Sequence, residues 1–212
     1  MNKRDLIKQF IPKTIETLEG QKMKRRLAII SIIASVVSLS SPTVFAQQKL
    51  LANQSDVSFT FKQMGVPVDG KFTKFDAQIN FDASKLAASN VAFKVDIASA
   101  TLGDKATDAE LPKAPWFNTA KFPQATFASS SIKSLGSGKF EVMGKLSIKG
   151  VSQDVTVPVA MTQAGAVTTA TGTFAIKRLT FKIGENEWAD TSMVADPVHV
   201  KFKIALSGVG KL

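Results

Sequence analysis

The chain of 212 residues has no cysteine, no tyrosine, a single histidine and two tryptophans. Each absence excludes something. Without cysteine there is no disulfide scaffold, no thiolate nucleophile and no Cys-ligated zinc or iron–sulfur centre. Packing alone must hold the fold. His199 has no second histidine to share a zinc ion with, and no Gly-rich phosphate loop is present. A Ser-His-Asp arrangement would need His199 in a pocket, yet it falls out of phase with Val198 and Val200 and is expected to face water. Neither catalysis nor a cofactor or metal site is expected. Glu185, Glu187, Asp190 and Asp196 read as a solvated loop, because hard-cation sites need tighter ligand spacing and extra carbonyl ligands. The lack of tyrosine also argues against an outer-membrane barrel, which carries aromatic girdles and a polar lumen.

A hydrophobic run long enough to span a bilayer is missing too. The longest, Leu27 to Leu39, falls short of the roughly 20 residues a membrane helix needs. Its flanks explain it. Met23-Lys24-Arg25-Arg26 is a short basic start, and Val44-Phe45-Ala46 is a small-x-small cleavage signal, so residues 1–46 are expected to be a leader with a secretory signal peptide cleaved after Ala46. Asp5, Glu16 and Glu19 make residues 1–22 long and acidic for such a peptide, which places the expected true start at Met23. The rival reading of that stretch is an amphipathic helix on Leu6, Ile7, Phe10, Ile15 and Leu18, interrupted by Pro12. The mature domain, residues 47–212, is then expected to be exported and not membrane-spanning.

Charge changes with that cut. Residues 1–46 hold 8 of the 27 basic and 3 of the 17 acidic residues, so the mature part carries 19 against 14, or +5. Its lysines are spread along the chain without aromatic interleaving, a pattern that does not fit nucleic-acid binding.

What the chain has in quantity is phenylalanine, 15 of them, on a period of two. Val57, Phe59 and Phe61 alternate with Ser58, Thr60 and Lys62, and Gly65 to Gly70 read as a turn. Phe75, Ala77, Ile79 and Phe81 oppose Lys74, Asp76, Gln78 and Asn80; Val91, Phe93, Val95 and Ile97 oppose Lys94 and Asp96. After an interruption the pattern resumes over 125–135 with Phe127 inward. Phe140, Val142, Gly144, Leu146 and Ile148 then oppose Glu141, Met143, Lys145, Ser147 and Lys149. Val155, Val157, Val159 and Met161 follow, then Gly172, Phe174 and Ile176, then Leu179, Phe181 and Ile183, and last Val198 to Leu206. The apolar phase slips between Ile176 and Leu179, which predicts a bulge at Lys177-Arg178.

The interruption is residues 104–118. Thr107-x-x-Glu110 has the form of a capping box, but Pro112 and Pro115 allow only a turn or two of helix, with Trp116 and Phe117 pinned in apolar surroundings. The expected fold class is all-β: eight or so antiparallel strands in a closed or nearly closed barrel with a short helical excursion. Periodicity by itself leaves a sandwich open.

Four ordered blocks carry a resemblance. Val57-Ser58-Phe59-Thr60-Phe61-Lys62-Gln63-Met64-Gly65 with Gly70-Lys71-Phe72-x-x-Phe75 is the first, and Trp116-Phe117-Asn118-x-x-x-Phe122-Pro123-x-x-Thr126-Phe127 the second. The third runs from Gly144 to Val151, and the last is Ile176-Lys177-Arg178-x-x-Phe181-x-Ile183-Gly184 with Trp188-Ala189-Asp190. Residues 48–207 thereby resemble the YceI-like family of exported lipid-binding proteins. Two departures stand out: Gln63 where many relatives carry His, and Lys182 within the usual Phe-Gly-Ile-Gly.

The resemblance implies an extended eight-stranded antiparallel lipocalin-like barrel that holds a long isoprenoid or similar amphiphile and works in the bacterial periplasm. An eight-stranded barrel is just wide enough either to be filled by its own side chains or to enclose one small ligand. The residues alone therefore leave two readings of Phe59, Phe61, Phe75, Ile79, Phe81 and Phe93, and of Phe127, Val142, Leu146, Val157, Phe174, Phe181 and Phe202: ordinary core or ligand lining. The resemblance favours lining, with Arg178 and Trp188 added. Arg178 is read either as a cation facing a polar or phosphorylated headgroup, or as a structural residue stacked on Trp188 or Trp116 and satisfying loop carbonyls. The expected ligand is an isoprenoid-type lipid or quinone, and the expected partner that amphiphile, with a homodimer left open. The competing reading is a ligand-free interaction module that recruits partners through exposed strands.

Overall fold

The structure is a computed structural model that describes residues 48–212. The leader expected over residues 1–46 lies outside the described residues. Eleven antiparallel strands form one sheet. They are β1 (Lys49–Leu50), β2 (Asp56–Gln63), β3 (Val66–Phe72), β4 (Phe75–Asn80), β5 (Asn90–Asp96), β6 (Ala100–Thr101), β7 (Gln124–Gly136), β8 (Lys139–Ile148), β9 (Val151–Ala164), β10 (Val167–Lys177) and β11 (Pro197–Ser207). The order across the sheet is β4-β5-β7-β8-β9-β10-β11-β2-β3-β6, with β1 paired to β11.

Three strands beyond the expected eight have separate causes. β3 carries Pro67 and Gly70 and so reads as a turn, yet it pairs with β2 from Val57↔Phe72 to Gln63↔Val66. Pro67 is tolerated opposite Lys62. Gly70 lies opposite Phe59, whose ring covers it so closely that a Cβ would collide with the ring. β1 and β6 are only two residues long and leave no periodic trace.

The sheet is strongly curled. Phe75, Ile79 and Phe93 from one end of the strand order pack against Val57, Phe202, Ile204 and Leu206 from the other, in one apolar cluster. A flat sheet could not bring those strands together. Near the seam the Gln48 amide closes the gap, accepting from the Phe81 N–H at 2.9 Å and donating to the Phe81 carbonyl at 2.7 Å. Inward residues follow the expected apolar phase, and the polar phase faces solvent; His199, for one, is exposed.

Hairpins set the registers. The β8–β9 turn has Lys149 at φ 49° and Gly150 at φ 77°, both left-handed, as a two-residue hairpin turn with the sheet's twist requires. The register of β7 on β8 shifts between Ser129 and Ser131 and again between Ser134 and Gly136. These are the irregularities in the ladder. The bulge expected at Lys177-Arg178 does not form, because β10 ends at Lys177 and Arg178–Phe181 is a 3₁₀ turn closed by Lys182 at φ 56°. The expected strand over 179–183 is thus a turn. The slip in apolar phase came from leaving the strand. Lys182 adopts the conformation that a glycine takes freely, at the place where the family pattern carries one.

The excursion after β6 begins with α1 (Lys105–Asp108), a single turn. Its cap differs from the expected box: Asp104 is the N-cap, accepting from the Thr107 N–H at 2.8 Å. Thr107 stands three residues inside, where it also donates its hydroxyl to Asp104.

Candidate ligand cavity

The curl encloses a cavity of about 350 Å³. Its walls come from the inward phase of β2, β4, β5, β7, β8, β9, β10 and β11. Phe61, Phe93, Phe127, Phe174 and Phe202 all point into it, and all are only half-buried. In a core filled by its own side chains such rings would be fully buried, as interiors pack to crystal-like density. Their exposure is to the cavity.

The polar members of the lining are few: Gln63, Thr107, Glu110, Thr126 and Arg178. Thr107 and Glu110 are also its exposed members, so the cavity reaches solvent beside α1 and the residues after it. The end of the barrel near the start of β8 is instead plugged. There Phe81 and Phe140 meet edge to face at 5.2 Å and pack with Ile132, Val142 and Met161.

The opposite end, past Ile148, is built from two loops: residues 102–123 and the segment from Arg178 to Asp196. Trp116 of the first and Trp188 of the second meet at 5.3 Å between ring centres, and the Pro115 carbonyl accepts from the N–H groups of Gly184 and Glu185. Two buried cations fix them. Arg178, 2% exposed, donates Nε to Ala195 O (3.2 Å), Nη1 to Ile183 O (2.9 Å) and Gly184 O (3.0 Å), and Nη2 to Trp188 O (2.7 Å) and Val194 O (2.6 Å). All five guanidinium N–H groups are engaged, each by a main-chain carbonyl. Burial pushes its pKa below the usual value, and the Asp196 carboxylate opposes that shift. Asp196 also holds the turn directly, its carbonyl accepting from the Arg178 N–H and its carboxylate from the Leu179 N–H, both at 2.9 Å.

Lys149 is the second cation. The sequence pattern places it on the outer phase, but it is 7% exposed. It stands on the β8–β9 turn, where the alternation of the strand no longer applies. Its Nζ donates to Ala114 O (2.8 Å), Pro115 O (3.3 Å) and Lys182 O (2.6 Å) and pairs with Glu185 at 2.9 Å. It therefore joins the hairpin to both loops.

A family model described as the YceI-like domain matches residues 49–206. The chain belongs to the YceI-like domain family. Among solved structures, BcnA of Burkholderia cenocepacia is 44% identical with a TM-score of 0.72, covering 74% of this chain and 99% of that one. A polyisoprenoid binding domain from Saccharophagus degradans, implicated in plant cell wall breakdown, superposes with a TM-score of 0.61 at 16% identity, covering 76% and 98%, and shows the fold alone. A UPF0312 protein of Shewanella denitrificans is 33% identical over 104 residues, 49% of this chain and 54% of the relative, so that match spans about half the relative's length.

Against this YceI-like frame, the cavity gathers most of the residues singled out from the sequence. Phe59, Phe61, Ile79, Phe81, Phe93 and Phe127 line it, as do Val142, Leu146, Val157, Phe174 and Phe202. Trp188 and Arg178 line its looped end. Phe75 and Phe181 stand outside the lining. Phe75 stacks on Phe93 at 5.7 Å in the seam cluster, and Phe181, 2% exposed, packs with Leu146 and Ile183 beneath the loop.

Sequence reasoning missed Thr107, Glu110 and Leu111 of the YceI-like cavity, all in the excursion, with Leu102 just before it and Phe72 at the end of β3. The excursion's only signal was the broken alternation itself. Trp116 and Phe117, expected in apolar surroundings, are lining residues as well.

Proposed function

We propose that this protein is an exported, periplasmic carrier or store that holds an isoprenoid-type lipid, a polyprenyl compound or a quinone, non-covalently in its barrel. The observation that carries this reading is the ring of half-buried, inward phenylalanines around an apolar cavity. Burying a chain there contributes about 0.8 kcal/mol per CH₂ before the entropy of binding is subtracted, so a long tail needs few polar contacts. Phenylalanine suits such a wall because it has no hydroxyl to satisfy. The polyisoprenoid binding domain from Saccharophagus degradans has the same fold, and the leader pattern over residues 23–46 supports export.

The reading is of a binding protein and not an enzyme. Among the described residues, the ionisable groups of the lining are Glu110 at the rim and Arg178, whose donors are all engaged. Native mass spectrometry of the protein purified from its own cells, followed by organic extraction, tests it. A lipid adduct that extracts as an isoprenoid is the expected result; protein that is consistently free of lipid, and that takes none up from vesicles, defeats the carrier reading.

A further inference from the structure

Arg178 is the one Lys or Arg in the cavity lining among the described residues. Each of its five N–H groups already donates to a carbonyl, at 2.6 to 3.2 Å. A phosphate could be paired there only by withdrawing N–H groups from Ile183, Gly184, Trp188, Val194 or Ala195, which would leave buried carbonyls unpaired. The neighbouring buried cation, Lys149, is not in the lining and is held by three carbonyls and Glu185. At the solvent end of the cavity the charged group is a carboxylate, Glu110, whose ion pair with Lys113 directs that lysine to itself. An anionic headgroup entering here would lose its water and, among the described lining residues, meet one cation whose donors are all engaged and a carboxylate that already holds its own lysine.

The same rim suits a neutral polar head. Gln63 offers an amide donor and acceptor, and Glu110 offers acceptor lone pairs. Thr107 directs its hydroxyl hydrogen to Asp104 at 2.8 Å and keeps oxygen lone pairs for a ligand donor.

We propose that the cavity selects an uncharged hydrogen-bonding headgroup, such as a polyprenyl alcohol or a quinone, against the phosphate ester of the same chain. This deepens the lipid-carrier reading and rests on it. It reverses one of the two sequence-level roles for Arg178: that residue shapes the loop and leaves the headgroup to Gln63, Thr107 and Glu110.

The test titrates the purified protein with geranylgeraniol and with geranylgeranyl monophosphate, each below its critical micelle concentration. Binding is followed by the fluorescence of Trp116 and Trp188, the two tryptophans of the chain, which both face the cavity. The alcohol is expected to bind about tenfold or more tightly than the phosphate at neutral pH and low salt. Glu110→Lys, checked for a native circular dichroism spectrum, is expected to shrink that ratio by favouring the phosphate. Equal or tighter binding of the phosphate by the unaltered protein overturns the headgroup proposal and leaves the carrier reading standing. If neither probe binds, the carrier reading falls and takes this proposal with it.

Discussion

The two ends of the barrel are held together by opposite physics. At the start of β8, Phe140 packs with Phe81, Ile132 and Met161, and the closure is apolar contact. Past the end of the same strand, Arg178 holds its own loop and Lys149 ties that loop to the other through main-chain carbonyls, so the cavity's mouth is a hydrogen-bonded frame around buried charge. Apolar contacts are individually weak, so such a plug tolerates partial loss and settles around a smaller side chain. A frame on one guanidinium does not, because its removal leaves every carbonyl it served without a partner. The plugged end is therefore graded in its response and the framed end close to all-or-none. Between them lies a wall whose rings have empty space on one side.

Each region breaks differently, and the sizes of the effects rank them. Arg178→Met is expected to be the most damaging, by about 4 kcal/mol or more, since it orphans five carbonyls at once, three of them in fully buried contacts. Urea denaturation would show it. Arg178→Lys should rescue little, because an ammonium has three donors and no planar fork. Phe81→Ala is expected to cost about 3 kcal/mol, a buried ring removed from a packed plug. A loss equal to that of Arg178→Met would erase the distinction between the ends.

Phe174→Ala comes next, at about 1.5 kcal/mol. The ring is half-buried and faces the cavity, so it has fewer partner atoms to lose. Its main consequence should be weaker retention of bound lipid, read by extraction after purification; a stability loss as large as that of Phe81→Ala would mean that the wall is ordinary core.

The smallest effect is acid sensitivity. Asp104 and Asp190 in the loops and Asp82 near the plug all have carboxyls held below the usual 3.8, by Thr107, Ser192 and Ser84 respectively, each donating from main-chain N–H and hydroxyl. A depressed folded pKa adds stability that is complete above 3.8 and is lost as pH falls through the folded values. Melting temperature should decline over that acidic window, and Asp104→Asn should flatten the decline without moving the melting temperature near neutrality by much.

Much of this architecture is legible in the chain because a strand with one wet face writes its geometry at period two. The inward set from Val57 to Phe61, the outward His199 and the inward direction of Phe93, Phe127 and Phe202 follow from that alone. Where the signal failed, a specific local event had replaced alternation. Pro67 and Gly70 disguised β3 as a turn. At Lys177 the strand ends, so the residues after it were assigned to a strand when they form a 3₁₀ turn, and Phe181 points beneath the loop instead of into the cavity. Lys149 carries a charge that looked solvated until the turn aimed it inward. The YceI-like blocks were legible for a different reason: each spans a junction between a strand and a turn or loop, where particular residues and not merely apolar ones are required.

By itself the sequence determined which face of each strand is apolar, that the fold is all-β, and to which family it belongs, because these depend on local periodicity and short ordered motifs. The tertiary structure decided what periodicity has no means to encode. Whether inward phenylalanines fill the barrel or line a cavity depends on how tightly the sheet curls, a property of all its strands together. Whether Arg178 meets a headgroup or a frame of carbonyls depends on partners up to 17 residues away that only the folded loop assembles. Alternation states that a residue points inward; the space it finds there is set by the rest of the chain.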